Sequence, residues 1–186
     1  MPKLGVIIAS VREGRLGSPV ADWFIGRVAE HGKFDVDLLD LKSFNLPLLS
    51  ERHHPRLQKY EQETTKVWSR AVSACDAFAI VTPEYNYGCP PALINALDHL
   101  YVEWHYKAAA FVSYGGLSGG TRSVQMAKLV VTTLRMMPLP EAVNIPHVTR
   151  LVKDGTLHAE ERHDKSAAGM LDELLRWTTA LAALRA

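Results

Sequence analysis

The sequence has few cysteines, no long apolar run and no excess of either charge. Cys75 and Cys89 form no CxxC pair, which argues against a disulfide scaffold and favours a reducing compartment. The N-terminal residues lack the apolar stretch of a signal peptide, and no run is long enough to cross a bilayer. With 21 basic and 20 acidic residues, the net charge of +1 offers no footprint for nucleic acid or an anionic membrane. We therefore expect a cytoplasmic protein with neither kind of partner.

Common nucleotide and metal motifs are also absent. The sequence contains no GxGxxG and no GK[ST] phosphate loop, and its eight histidines show no HExxH spacing, so we expect no metal site. Hydrophobic residues make up 47% and charged residues 22%, which is an ordinary globular balance with enough apolar material for a core. The length predicts one domain over residues 1–186.

Short apolar segments alternate with segments of helical periodicity. The apolar segments predict strands over residues 4–9, 34–39, 77–82, 108–113 and, weakly, 141–145. Helical spacing predicts helices over residues 19–31, 57–75, 91–101, 121–137 and 165–183, and Asp154-Gly155 suggests a hairpin. Uninterrupted apolar strands are typical of a parallel sheet covered on both faces. The alternation therefore predicts an α/β doubly wound fold with helices on both faces.

The loop after the first strand, residues 10–19, has an unusual composition. It places Ser10, Arg12, Arg15 and Ser18 between a buried strand and a helix that starts with Pro19. Hydroxyls, arginines and free amides at a helix N-terminus suit a phosphate. An ordinary capped connection, with Ser18 as N-cap and Pro19 at the first helical position, is the alternative. We favour a phosphate because capping leaves both arginines unexplained.

Two more loops follow strands three and four. Residues 82–91 contain three prolines, and Tyr85, Asn86 and Tyr87 present two aromatic faces and an amide that suit a flat heterocycle, unless the tyrosines only pack locally. Residues 113–122 contain four glycines, whose backbone can approach a ligand closely, before a helix whose positive end points into the same site. Because ligands of open parallel sheets bind at the carboxyl ends of the strands, the three loops together predict a flat, monophosphorylated ligand.

Five groups of sequence blocks within about residues 4 to 135 occur in the order of one known family. They are Ile8-Ala9-Ser10-Val11-Arg12 with Ser18-Pro19-Val20-Ala21, Thr82-Pro83-Glu84-Tyr85-Asn86, Asn95-Ala96-Leu97-Asp98, Glu103-Trp104 with Lys107, and Ser113-Tyr114-Gly115-Gly116 with Ser118-Gly119-Gly120. On these blocks the chain resembles the NADPH-dependent FMN reductase-like family of flavin, quinone, azo-dye and chromate reductases. It departs from that family at Ala9, where glycine is frequent, and at His99, where tryptophan is frequent and where the acceptor pocket could change.

The resemblance implies a flavodoxin-like fold, with a five-stranded parallel sheet in the order 2-1-3-4-5, and FMN held without a covalent bond. It assigns a set of cofactor-binding residues to the three loops. Ser10, Arg12, Ser18, Pro19 and Val20 would hold the phosphate; Pro83, Glu84, Tyr85 and Asn86 would flank the isoalloxazine; Ser113, Tyr114, Gly115 and Gly116 would lie along its pyrimidine side. The composition of the first loop adds Arg15 as a further candidate for the phosphate.

The resemblance also implies an enzyme that passes hydride from NADPH or NADH through FMN to a quinone, flavin, azo or metal-oxyanion acceptor. No side chain need act as acid or base; we expect the amides near Gly115 and Gly116, with the following helix, to stabilise negative charge on the reduced flavin. Arg15 or Arg122 is a candidate for the 2′-phosphate of NADPH. Homodimers or dimers of dimers, with flavin sites near the subunit boundary, are implied as well.

Three other functions stay open at this point. A flavodoxin-type electron carrier shares the fold, but such carriers are typically acidic and the net charge here is +1. A flavin-binding, redox-sensing module would need a protein partner whose contact depends on the flavin. A phosphate-binding protein without flavin would keep only the first loop's function.

Overall fold

The computed structural model describes residues 1–185, so Ala186, the last residue of the expected domain, lies outside the described residues. The main sheet contains β1 (Lys3–Ile8), β2 (Asp35–Asp40), β3 (Ala77–Pro83), β4 (Ala108–Tyr114) and β5 (Met137–Ile145). The helices are α1 (Gly17–His31), α2 (Leu41–Phe44), α3 (Glu63–Ser73), α4 (Pro91–Asp98), α5 (Thr121–Thr133), α6 (Val148–Leu151) and α7 (Glu161–Leu181). Three short 3₁₀ turns cover Pro55–Leu57, Val102–Trp104 and Ala182–Leu184.

The main sheet is parallel throughout, in the order β2-β1-β3-β4-β5. Helices α1 and α7 pack on one face, and α3, α4 and α5 pack on the other. Every residue of β3 and of β4 is buried, as expected for apolar strands covered on both sides. The predicted fold class and strand order are therefore confirmed.

Helix α1 shows how the sequence directs the packing. Val20, Phe24 and Val28 recur every four residues and lie in the core, and Gly32 ends the helix in the left-handed region at φ 70°. The carboxyl end of β1 and the first turn of α1 are thereby held close together. This junction positions the loop of residues 10–16.

The junction of α5 and β5 lies earlier in the chain than predicted. The helix predicted over residues 121–137 ends at Thr133, and Arg135 takes a left-handed φ of 57°. The strand predicted over residues 141–145 begins at Met137 and includes two prolines. Prolines are tolerated there because β5 is an edge strand, and its register against β4 shifts between Ala109 and Phe111.

Other helix boundaries differ as well, most of all the start of α3. The helix predicted over residues 57–75 is shorter, since α3 begins at Glu63, and the one predicted over 91–101 ends as α4 at Asp98. Helix α7 begins at Glu161, four residues before the predicted start at 165, because Glu160 and His163 form a capping box. The suggested hairpin is present as β6 (Val152–Lys153) and β7 (Thr156–Leu157). Within residues 1–185, every helix falls short of the length and apolar character needed to cross a membrane.

Candidate functional site

A cleft of about 500 Å³ lies at the carboxyl edge of the sheet, where the loops after β1, β3 and β4 meet. Its volume falls within the roughly 300–1,000 Å³ typical of small-molecule sites. Nine of the fourteen residues assigned to the cofactor from sequence line it. They are Ser10, Arg12, Arg15, Pro83, Glu84, Tyr85, Tyr114, Gly115 and Gly116. The three loops are therefore brought together, as their positions after parallel strands require.

The other five assigned residues do not line the cleft. Ser18 and Pro19 are half-buried in the first turn of α1, and Val20 points into the core. Asn86 is exposed at the tip of the second loop. Ser113 is buried, and its hydroxyl accepts a hydrogen bond of 3.1 Å from Asn144 Nδ2.

Arg15 is occupied by a carboxylate of the protein itself. Its guanidinium donates to both Asp40 carboxylate oxygens at 2.6 and 2.5 Å, and to the Ser10 carbonyl at 2.7 Å. Burial disfavours ionisation of Asp40, but the hydrogen bonds from Arg15 and from the Lys42 N–H outweigh it and lower its pKa. This pair fastens the first loop to the end of β2.

Arg12, in contrast, forms no ion pair within residues 1–185. Its guanidinium lies 5.7 Å from the centroid of the Tyr85 ring, which links the first loop to the second. The Tyr85 hydroxyl and Ser10 Oγ are hydrogen-bonded at 2.5 Å. Arg12 is thus the cation of the first loop that is left to meet an anion in the cleft.

The first turn of α1 lies at the same end of the sheet, and no side chain among the described residues caps it. The helix begins at Gly17 after Leu16, so Ser18 is not the N-cap, and that part of the alternative explanation is wrong. A Cβ at Gly17 would lie 2.9 Å from the Tyr114 hydroxyl and 3.0 Å from Ile8 Cγ2. The tight packing therefore requires glycine here. An uncapped helix N-terminus beside Arg12 is a favourable place for a phosphate.

The second loop folds as a tight turn that separates its two tyrosines. Tyr85 and Gly88 exchange backbone hydrogen bonds of 3.0 and 2.9 Å, and Asn86 and Tyr87 both have positive φ. Tyr85 consequently faces the cleft, whereas Tyr87 is 71% exposed and packs under Arg122, 3.8 Å from the ring centroid. Of the two aromatic faces expected to meet a heterocycle, the turn brings one to the cleft.

Glu84 joins the second loop to the third. Its carboxylate, only 7% exposed, accepts hydrogen bonds from Ser118 Oγ at 3.0 Å, from the Arg122 N–H at 3.1 Å and from Arg122 Nε at 2.6 Å. Burial would raise the pKa of Glu84, but these bonds outweigh it and lower the pKa. The carboxylate caps the start of α5, so the positive end of that helix is already neutralised by the protein.

The two arginines considered for the 2′-phosphate of NADPH are both paired. Arg15 is held by Asp40 and Arg122 by Glu84, which also forms a direct ion pair with Arg122 Nη2. Neither guanidinium is a free cation at the cleft. Sequence alone could not foresee this, because each pair joins loops that are far apart in the chain.

The third loop uses its glycines in two ways. Gly115 and Gly116 line the cleft. The Gly115 N–H donates to Ile145 O at 3.2 Å, so of these two amides it is that of Gly116 that has no acceptor in the described part of the chain. Gly120 adopts φ 88° and packs where a Cβ would lie 2.9 Å from Tyr114 O. The glycine-rich composition thus partly reflects packing of the loop against β4. Asn144 Nδ2 supports it by donating to Gly119 O at 2.7 Å.

A fourth segment, which runs from the end of β5 into α6, completes the cleft and was not identified from sequence. It contributes His147, Val148 and Thr149, and the N–H groups of His147 and Val148 donate to the carbonyls of Gly116 and Gly115 at 2.8 and 3.1 Å. The rule that ligands gather at the carboxyl ends of parallel strands would have found it. The weak pattern of the fifth strand hid that signal. No group of three His, Cys, Asp or Glu residues able to hold a metal occurs within residues 1–185.

Comparison with known proteins decides the family. The sequence pattern of the family described as NADPH-dependent FMN reductase matches residues 2–150. The chain belongs to this family. An NAD(P)H-dependent FMN reductase of Schizosaccharomyces pombe is 35% identical, with 99% of this chain and 86% of the relative covered. One of Saccharomyces cerevisiae is 36% identical, with 77% of this chain and 81% of the relative covered.

Solved structures agree with this assignment at the level of the fold. FerB, a flavoenzyme NAD(P)H:(acceptor) oxidoreductase from Paracoccus denitrificans, superposes with a TM-score of 0.73 at 22% identity, covering 97% of this chain and 98% of its own. As a member of the NADPH-dependent FMN reductase family, the chain is an oxidoreductase with FMN as cofactor and NAD(P)H as co-substrate.

Both departures from the family pattern are accommodated away from the cleft. Ala9 is buried, and its N–H donates to Val81 O at 3.0 Å, so its methyl group does not disturb the junction of β1 and β3. His99 is buried after the end of α4, where Nδ1 lies 2.7 Å from Asn95 O. His99 does not line the cleft, so a direct contact of His99 does not support the expected change to the acceptor pocket.

Proposed function

We propose that this reductase binds FMN in the cleft at the carboxyl ends of β1, β3 and β4 and passes hydride from NAD(P)H to a quinone, free flavin, azo compound or metal oxyanion. The observation that supports the proposal most is the convergence of these loops around one 500 Å³ cleft beside the uncapped N-terminus of α1.

The residues of the cleft fit FMN by their chemistry. The amides of the first turn of α1 and the unpaired Arg12 suit a phosphate dianion. A Cβ added at Gly116 would meet no atom within 4 Å, so a flat ring can approach this backbone closely. The ring of Tyr85 offers an apolar wall on the side of the second loop. Ser18, Pro19, Val20, Asn86 and Ser113 do not line the cleft, so their part in binding would be through the backbone or through positioning of neighbours.

FMN, when bound, supplies the hydride chemistry between NAD(P)H and the acceptor. Arg12 and the start of α1 would hold its phosphate, and Glu84 keeps the second and third loops together by binding Ser118 and Arg122. The free N–H of Gly116 is the donor best placed to stabilise negative charge, because Gly115 is bonded to Ile145 and Glu84 caps α5.

The breadth of the proposed acceptor class follows from the same cleft. Several polar side chains that line it are already bonded within the protein: Ser10 with Tyr85, Arg15 with Asp40, and Glu84 with Arg122. A site of this kind selects acceptors by access more than by polar recognition. We therefore propose small, flat, diffusible acceptors and none of protein size.

We also propose that the chain forms homodimers or dimers of dimers. Met126 and Leu129 lie on one side of α5 and are 44% and 74% exposed, and Met126 contacts the backbone of the second loop. A second copy on this side of α5 would lie close to the cleft. The cytoplasmic location stays a proposal, supported by two cysteines that are free and buried.

Steady-state kinetics test this function. Protein loaded with FMN is mixed with NADPH or NADH and, in turn, a soluble benzoquinone, riboflavin, an azo dye and chromate. We expect acceptor-dependent oxidation of the nicotinamide with parallel double-reciprocal lines, as for two substrates that use one site in turn. Turnover only when a separate reductase is added would identify an electron carrier. A protein that retains no flavin would contradict both.

A further inference from the structure

The Tyr114 hydroxyl is buried and has no hydrogen-bond partner within the described residues 1–185. Tyr114 ends β4, is 4% exposed, and packs in the core cluster on the α1 side of the sheet. A buried hydroxyl without a partner is unfavourable because the lost hydration is not replaced. Ser10 Oγ is bonded to the Tyr85 hydroxyl at 2.5 Å and not to that of Tyr114. The arrangement therefore leaves a donor at the cleft that the protein does not use.

This hydroxyl lies against the first residue of α1. The position that a Cβ of Gly17 would take is 2.9 Å from Tyr114 Oη. The helix starts without a side-chain cap, and Pro19 supplies no N–H, so the amides of Gly17 and Ser18 are the donors of this turn. Tyr114 Oη thus belongs to the anion-binding end of the cleft. The resemblance had implied the pyrimidine side for this residue.

We propose that the Tyr114 hydroxyl donates a hydrogen bond to the phosphate of FMN and makes the site prefer FMN over riboflavin. The proposal rests on the proposed function, because it needs a flavin in this cleft. Burial, followed by the neighbouring Tyr85, raises the pKa of Tyr114, so the hydroxyl keeps its proton at neutral pH and acts as a donor. A hydrogen bond to a charged phosphate is among the stronger ones in proteins.

The test compares two tyrosine-to-phenylalanine variants that each lose one oxygen. Tyr114→Phe removes the proposed donor. Tyr106→Phe is the control, because Tyr106 precedes the start of β4, at the sheet edge opposite the cleft, and its hydroxyl accepts a hydrogen bond from Arg135. Dissociation constants of apo-protein for FMN and for riboflavin are measured by quenching of flavin fluorescence. For Tyr114→Phe we expect the FMN constant to rise roughly 10-fold to 100-fold and the riboflavin constant to change less than about twofold. Tyr106→Phe should change neither.

The stability of the apo-protein separates a ligand contact from a structural one. Because Tyr114 Oη has no hydrogen-bond partner in residues 1–185, apo Tyr114→Phe should unfold at a temperature no lower than wild type. Inorganic phosphate should raise the unfolding temperature of wild type more than that of this variant. An equal loss of FMN and riboflavin affinity, or a lower apo unfolding temperature, would overturn the assignment of Tyr114 and leave flavin binding intact. Failure of wild type to bind either flavin would overturn the proposed function as well.

Discussion

Arg12 and Arg15 lie three residues apart in the first loop but have different roles. The Arg15 guanidinium donates to both carboxylate oxygens of Asp40 and to the Ser10 carbonyl, so its charge stabilises the folded loop. Arg12 faces the cleft over the Tyr85 ring without a carboxylate partner in the part of the chain that the structure describes. The two arginines looked equivalent in the sequence, because the partner of Arg15 comes from the end of another strand.

This difference predicts the effect of Arg12→Ala. We expect the dissociation constant for FMN to rise roughly 10-fold to 100-fold, since a charge-assisted contact to the phosphate is lost. Arg176→Ala is the control, because Arg176 is exposed on α7 and, within residues 1–185, its ion pair is with Glu173. The measurement is a fluorescence titration of apo-protein with FMN. Unchanged affinity in Arg12→Ala would remove Arg12 from the phosphate site.

At the scale of elements, the start of β4 is tied to the end of α3 by a buried lysine. Lys107 Nζ donates to Val72 O at 2.9 Å and to Ser73 O at 3.4 Å, and it lies 5.6 Å from the Phe78 ring centroid. Burial lowers the pKa of Lys107 to about 8, from an ordinary value of 10.5. The amine therefore caps a helix C-terminus while its environment favours the neutral form.

This cap predicts a pH dependence of stability. Between pH 8 and 10.5 the unfolded chain binds more protons at Lys107 than the folded one, so the free energy of unfolding rises with pH. The rise from this group amounts to about 1 kcal/mol between pH 8 and 9. It is measured by urea unfolding at a series of pH values. Lys107→Met should lack it, whereas the exposed control Lys165→Met should keep it.

The pH range of this test is chosen because the neighbouring Cys75 thiol lowers the free energy of unfolding as the pH rises. Burial raises the pKa of Cys75 to about 11, so above pH 9 the unfolded chain loses the thiol proton first and stability falls. Equal pH profiles of wild type and Lys107→Met between pH 8 and 9 would show that Lys107 does not titrate in this range.

At the scale of the whole molecule, the apolar side of α5 predicts self-association. Leu129→Glu places a charge at a 74% exposed position and should convert a dimer or tetramer into smaller species. Leu184→Glu, at an exposed position near the chain end, should not. Light scattering coupled to gel filtration measures the mass. A monomeric wild type, or an unchanged mass for Leu129→Glu, would contradict the proposed interface.

Much of the fold could be predicted from the sequence because its signals are local. Uninterrupted apolar strands such as β3 and β4, separated by amphipathic helices, leave few arrangements other than a doubly wound parallel sheet. The end of α5 and the start of β5 were misplaced because apolar periodicity does not distinguish a helix end from an edge strand that contains prolines. Propensity was overridden there by pairing with β4.

The site was predictable in part for a similar reason. Composition and position after a strand identified the loops that meet, and the family resemblance named most of the residues that line the cleft. Side-chain pairing was beyond the sequence: Glu84 caps α5 and binds Arg122, and Asn144 supports the third loop from β5. These contacts depend on register and loop conformation, which a single sequence does not encode locally.

The central claim is that the loops after β1, β3 and β4 hold FMN where NAD(P)H can reduce it. Its most direct test is an anaerobic titration of the FMN-loaded protein, freed of unbound flavin by gel filtration, with NADPH. We predict that the visible absorption band of the oxidised flavin disappears in proportion to the NADPH added and returns on addition of a quinone. A protein that stays colourless after loading, or a band that persists in excess NADPH and NADH, would contradict the account.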